Sequence, residues 1–296
     1  MCAQSEFSCP LKKNFNIAIV GGGIAGLTLT LSLLSHGIPV TLYEAASKFG
    51  EIGAGVSFGP NAIRAMKLIS PRVLEAFEAR ATYNQSNEKN VTWFDFRYGE
   101  DCGGKRNVGE KITTVTCDGG QASVHRAHFL DELVKLLPDG IAKFGYRTTD
   151  FVDEGEKGIV LRFANGQQAR HDAVIGCDGI KSRIRVSLLG AEHPAARAVY
   201  SGKYAYRGLI PMDKAKALLG DDLAENAQMY LGQHGHVLTF PIEKGKTMNG
   251  SSGSILIQSM LTIYSCGFCK LEILGPRRLG GDHEARRYGQ KFCHLG

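Results

Sequence analysis

Phe15 to Val20 is apolar apart from Asn16, a short run of the kind expected for a strand buried on both faces. Gly21-Gly22-Gly23 breaks it. From Ile24 to His36 apolar residues recur at helical spacing, and Gly37 closes the predicted helix. Pro39 to Glu44 reads as a second strand. Pro60 and Asn61 open a helix that continues from Ala62 to Ile69. Val91 to Tyr98 and Ile112 to Thr116 alternate as strands. Val124 to Phe129 leads into a predicted helix from Leu130 to Leu137, stopped by Pro138 and Gly140. Ile159 to Phe163 and Gln168 to Ile175 flank Ala164-Asn165-Gly166, a hairpin signal. The second arm runs on through Ala173 to Gly176 and ends at Asp178-Gly179. Further strands are expected within Tyr200 to Pro211 and His236 to Ile242. Strands and helices alternate first and β-rich stretches follow, so the chain is expected to be α/β, with two intertwined parts.

The first break in this pattern carries chemistry. Gly21-x-Gly23-x-x-Gly26 follows a strand and opens a helix, and Glu44 stands about twenty residues on. Gly21 would make the tight turn, Gly23 would let the backbone approach a pyrophosphate, and Gly26 would let helix pack on sheet. The helix N-terminus offers free N–H groups and the positive dipole end to phosphate. Glu44 is placed for a ribose 2′-hydroxyl and would repel a 2′-phosphate, so the nucleotide expected is FAD or NAD rather than NADP. A second glycine-rich stretch, Glu51 to Asn61, has residues small enough for backbone to lie against a flat ligand.

Composition adds few constraints. The 296 residues can hold one large or two ordinary domains, and 43% are apolar. The net charge of +6 is spread along the chain, with no basic block to suggest nucleic acid. No apolar stretch is long enough to span a bilayer or to act as a secretory signal, so no membrane partner is expected and a cytoplasmic location is. Eight cysteines (Cys2, Cys9, Cys102, Cys117, Cys177, Cys266, Cys269 and Cys293) show no framework spacing and are expected to be free thiols. Cys266-x-x-Cys269 could be half of a zinc site but has no matching second pair, and no metal site is expected.

Taken together, the Gly21 to Gly26 loop with Glu44, the Glu51 to Asn61 loop, Arg126, and Asp178-Gly179 with Lys181-Ser182-Arg183 resemble the single-component FAD-dependent aromatic hydroxylases. This is the para-hydroxybenzoate and salicylate hydroxylase group, and fungal members acting on phenolic polyketides are the nearest likeness. The resemblance runs from about Asn14 to Met248. It implies a Rossmann-type FAD-binding domain, residues 14–80 and 110–190, intertwined with a β-sheet substrate domain, residues 81–109 and 191–249. Gly21, Gly23, Gly26 and Glu44 would form the ADP half of the FAD site. Ala54 and Ser57 would pass near the flavin, Arg126 would contact FAD, and Asp178 and Gly179 would serve the pyrophosphate and a transient NADPH or NADH. Arg207, within Tyr204 to Pro211, matches the family's substrate arginine and is the catalytic candidate, expected to stabilise a phenolate. The implied partners are a small phenolic substrate and O2, with the oligomeric state left open. Where some dearomatising relatives have a tyrosine this chain has Phe240, which can pack on a ring but cannot hydrogen-bond it.

After about Asn249 the likeness ends. Gly250-Ser251-Ser252-Gly253-Ser254 reads as a linker, and residues 250–296 as an atypical, disordered tail of a fold whose C-terminal part is missing, produced by an out-of-frame or unspliced reading of a longer gene. The family's Gly-Asp motif has no counterpart, because Gly220-Asp221 and Gly281-Asp282-His283 stand in the wrong context. Two alternatives therefore remain, an inactive flavin-binding remnant and a salicylate-type catabolic hydroxylase. An NAD-dependent dehydrogenase would explain Glu44 but not Arg126 with Asp178-Gly179.

Overall fold

The computed structural model describes residues 15–50, 54–101, 103–104 and 106–255. Glu51 to Gly53, Cys2, Cys9, Cys102, Cys266-x-x-Cys269, Gly281-Asp282-His283 and Cys293 lie outside the described residues, as does the rest of the tail beyond 255.

In chain order the elements are β1 (Ile17–Val20), α1 (Ile24–Ser35), β2 (Val40–Glu44), β3 (Gly55–Phe58), α2 (Pro60–Ile69), α3 (Pro71–Glu78) and β4 (Thr82–Tyr83). Next come β5 (Thr92–Tyr98), β6 (Lys111–Thr116), β7 (Ala122–His125), α4 (Arg126–Val134), β8 (Ala142–Phe144) and β9 (Thr148–Asp153). The chain continues with β10 (Ile159–Phe163), β11 (Gln168–His171), β12 (Ala173–Gly176) and α5 (Arg183–Leu189). It closes with β13 (Lys203–Pro211), α6 (Met212–Leu219), α7 (Asp221–Glu225), β14 (Gln228–Gly232), β15 (Gly235–Ile242) and β16 (Thr247–Ile255).

A parallel sheet ordered β12-β1-β2-β8 forms the nucleotide half. All four β1 side chains are buried, as the apolar run predicts. Ile17 and Ile19 pack with Leu27 and Leu31 of α1 on one face. Ala18 and Val20 pack on the other with Leu161, Phe163 and Ile184. The sheet is thus sandwiched between helices and the antiparallel β11-β10-β9 sheet.

The second large sheet is ordered β13-β16-β15-β14-β5-β6. Its face carrying Phe94, Phe240 and Ile242 forms one apolar cluster, while Met248 on the other face packs with Met212, Ala215 and Ala224 of the α6–α7 pair. The small β3-β7-β4 sheet lies between the two halves, and the Ser123 hydroxyl of β7 donates to the Pro241 carbonyl of β15 at 2.5 Å.

Four expectations need correction. Residues 250–255 are not a linker: they belong to β16, hydrogen-bonded to β13 on one side and β15 on the other. Ala122–His125 is strand and α4 begins at Arg126, ahead of the expected Leu130. The predicted long hairpin arm divides at Asp172, so that Gln168–His171 pairs with β10 and Ala173–Gly176 with β1. Lys111–Thr116, placed with the FAD part from the sequence, pairs with β5 in the second large sheet.

Candidate functional site

The three glycines of the first loop have different surroundings. A Cβ on Gly21 would run into the Cys177 carbonyl at the end of β12, and one on Gly26 into the Gly21 carbonyl, so both are excluded by backbone. Gly21 also has φ +106°, which L side chains rarely adopt. A Cβ on Gly23 would meet nothing within 4 Å, so this side of the loop is open. Gly23 is the residue before α1, and no side chain caps that helix or places an acid in its first turn. An anion-binding helix end therefore faces open space.

Glu44 closes the loop from the end of β2. Its Oε2 accepts the Gly22 N–H at 2.7 Å and its Oε1 accepts the Ala46 N–H at 2.7 Å. Cys177 lies under the loop, where burial and then Asp178 push its thiol pKa up, which keeps it protonated and unreactive. These residues fit the ADP half of FAD: an open glycine backbone, an uncapped helix end and a fixed carboxylate beside them.

Asp178 is engaged mainly within its own segment. Its Oδ2 accepts the N–H groups of Arg183 at 2.6 Å and Ile184 at 3.2 Å, and its Oδ1 accepts the Ser182 hydroxyl at 2.5 Å. It thereby satisfies the first two N–H groups of α5, whose N-cap Ser182 accepts the Arg185 N–H at 2.9 Å, and holds the turn in which Gly179 takes φ +76°. A Cβ on Gly179 would also meet open space.

Within the second glycine stretch Gly55–Phe58 is strand rather than loop, with Ala54 just before it and Ser57 inside it. The Ala54 carbonyl accepts the Arg126 N–H at 3.0 Å. Ser57 accepts from the buried Gln121 amide at 2.8 Å. Arg126 is exposed at the start of α4. The structure thus brings Ala54, Ser57 and Arg126 together at the β3–β7 pair.

Arg207 is exposed on the edge strand β13, and its side chain makes no hydrogen bond or ion pair with other described residues. Strand register places it opposite Ser251, which is opposite Leu238, while Leu209, Asn249 and Phe240 form the next row on the same face. This face meets the FAD-side strand. The Asn249 side-chain oxygen accepts the Gly55 N–H at 2.9 Å, and a Cβ on Gly55 would come within 2.7 Å of the Phe240 ring. Arg207 and Phe240 stand two strands apart, roughly 10 Å across the sheet. Asn249 and Gln121, both buried, were missed in the sequence reading. Asn249 is a polar residue inside β16, and Gln121 stands immediately before β7.

Fold and loop together define a Rossmann-type nucleotide-binding unit intertwined with a large mixed sheet. A family described as FAD binding domain matches residues 14–205. The chain is 48% identical over 238 residues to a 6-methylsalicylate 1-monooxygenase of Aspergillus terreus, covering 79% of this chain and 52% of that protein. It is 44% identical over 247 residues to a salicylate hydroxylase of Pseudomonas putida, covering 80% and 54%. A solved salicylate hydroxylase substrate complex superposes with a TM-score of 0.67 at 35% identity, covering 83% of this chain and 57% of that one. The chain belongs to the FAD-dependent aromatic hydroxylase family. It spans about half the length of the curated relatives it matches. Among the described residues no helix is long and apolar enough to cross a membrane.

Proposed function

We propose that this chain hydroxylates a small phenolic substrate as an FAD-dependent monooxygenase, with NADPH or NADH as reductant and O2 as oxidant, in fungal secondary metabolism. One observation carries the reading. Arg207 shares a sheet face with Phe240, and Phe240 packs on Gly55 of the strand that also bears Ser57, beside Arg126. A substrate on that face would lie between the arginine and the FAD-side backbone. The relatives named for salicylate and 6-methylsalicylate support a phenolic ring as its chemistry.

Bound FAD would supply the redox chemistry, carrying electrons from NAD(P)H to O2 for insertion of one oxygen atom into the ring. The chain's own residues would bind and orient. Glu44 would hold the adenosine ribose, the N-terminus of α1 would receive the pyrophosphate, and Arg126 would contact FAD. Arg207 would hold the substrate's ring oxygen as phenolate, the electron-rich form that an electrophilic oxygen donor attacks. Phe240 would pack against the ring and exclude water from that face.

The test is the flavin spectrum of the purified full chain, followed by NADPH oxidation with and without salicylate and incorporation of labelled O2 into product. Phenol-stimulated oxidation with labelled product is expected. The exposed Arg207→Met variant should keep its flavin and lose that stimulation. A folded, FAD-loaded chain that turns over none of a panel of salicylates and polyketide phenols overturns the reading.

A further inference from the structure

A second cluster of side chains plays no part in the flavin reading. His125 is the residue before α4 and His128 lies one turn on, so their imidazoles stack with centroids 4.0 Å apart. Glu243, in the turn after β15, brings Oε1 within 3.5 Å of His128 Nδ1. One ligand-capable atom from each of the three lies within 4.8 Å of the others. They line a cavity of about 260 Å³.

Three observations set the cluster apart from ordinary packing. His125 Nδ1 is buried and has no hydrogen-bond partner. Glu243 and Lys244 are the only non-glycine residues with positive φ among the described residues, at 55° and 56°. Such backbone persists where the surroundings over-determine it, commonly at ligand sites. The Thr247 hydroxyl donates to Glu243 Oε2 at 2.6 Å, which leaves Oε1 turned toward the imidazoles. Three cations line the same cavity: Arg80 pairs with Glu132 at 2.5 Å, Lys244 Nζ donates to the Glu78 carbonyl at 2.9 Å, and Lys246 is exposed to solvent.

We propose that His125, His128 and Glu243 form a site for a divalent transition metal, zinc by preference, which clamps the start of α4 to the turn after β15. Two imidazoles and one carboxylate suit a four-coordinate Zn²⁺ that keeps one position for water. Ca²⁺ and Mg²⁺ prefer all-oxygen shells. Bonds of about 2.0–2.2 Å require the three ligand atoms to draw closer than they now stand. His128 and Glu243, with side chains 42% and 28% exposed, have room to rotate inward. Thr247 would orient the carboxylate from behind, as outer-shell groups do. Because Arg126 follows His125 directly and bonds Ala54, the metal would also fix the helix end beside the FAD-side strand.

Zn²⁺ titrated into the full chain by calorimetry, with the Co²⁺ absorption spectrum as a second readout, tests the site. One ion per chain is expected, with four-coordinate cobalt bands and no thiolate charge-transfer band. His128→Ala and Glu243→Gln should each weaken binding about tenfold or more, and Thr247→Val by about tenfold. Cys266→Ser with Cys269→Ser should leave binding unchanged. Circular dichroism of each metal-free variant checks that the fold is kept, and the two ligand variants guard against one simply misfolding. No binding, binding that survives both ligand variants, or a cobalt spectrum dominated by thiolate overturns the proposal.

Discussion

Glu44 reaches from the end of β2 across the glycine loop and accepts the Gly22 N–H through Oε2 at 2.7 Å. The same carboxylate that shapes the loop is the group expected to meet the ribose. Charge-assisted hydrogen bonds of this kind contribute about 1.5–3 kcal/mol each. Glu44→Ala removes both roles, so FAD affinity should fall about 10- to 100-fold by flavin fluorescence titration, equivalent to about 1.4–2.8 kcal/mol. Glu44→Gln keeps one acceptor oxygen and should fall in between. An unchanged dissociation constant for Glu44→Ala would remove the carboxylate from the FAD site.

Gly23 and Gly26 separate binding from folding. Alanine at Gly26 overlaps the Gly21 carbonyl, which is backbone and cannot rotate away. Overpacking of this kind costs about 1–3 kcal/mol, more than the roughly 1 kcal/mol alanine gains over glycine in a helix. Gly26→Ala should therefore lower the urea midpoint of the FAD-free protein. Gly23 has φ −74° and open space beside it, so Gly23→Ala should keep that midpoint and weaken FAD binding. Equal loss of stability in both variants would contradict the difference in their surroundings.

Asp178 satisfies two N–H groups in the first turn of α5 and the hydroxyl of Ser182. Loss of a side-chain acceptor at a helix start costs about 1–2 kcal/mol. Asp178→Ala should show that loss in urea unfolding without FAD, and Asp178→Asn should recover part of it through its remaining side-chain oxygen. If the alanine variant unfolds within about 0.5 kcal/mol of the parent, the aspartate does not stabilise the start of α5.

The nucleotide half was legible because its signals are local. The β1 run, the glycine spacing and Glu44 all fall within thirty-odd residues and depend on backbone geometry that only certain residues allow. The second sheet was harder to read, and β16 shows why. Its Gly-Ser run lacks the alternation of a strand, and at one position the reason is steric: a Cβ on Gly253 would come within 3.0 Å of the His236 ring. The small residues there sit in a strand paired on both sides, not in a linker. Asn249 was invisible for a related reason, since its partner Gly55 comes from a distant strand. The His125, His128 and Glu243 cluster likewise joins a helix start to a turn far along the chain, with no short spacing to announce it.

The ring of His171 ties β2, β11 and the approach to β1 together, and its protonation state should be visible in stability. Its Nε2 lies 2.9 Å from the Tyr43 hydroxyl and its Nδ1 2.5 Å from the Asn16 side-chain oxygen. The Asn16 amide nitrogen donates to Asp172 at 3.0 Å, so its oxygen is left to accept from Nδ1–H. With the Tyr43 hydroxyl donating to Nε2, the network accommodates a neutral imidazole protonated at Nδ1. Burial pushes the Tyr43 hydroxyl up to about 12, so it remains a donor. Burial also holds His171 below its ordinary value, with Asp172 opposing. The unfolded chain, with a histidine pKa near about 6.5, thus binds this proton more readily than the folded chain. The stability contributed by neutral His171 is fully present above that pH and is lost as pH falls through the lower folded value. Urea midpoints measured from about pH 7.5 down to about pH 5 should fall for the parent chain. His171→Gln, which cannot titrate there, should flatten that part of the slope. An unaltered slope would place the pH dependence on other groups.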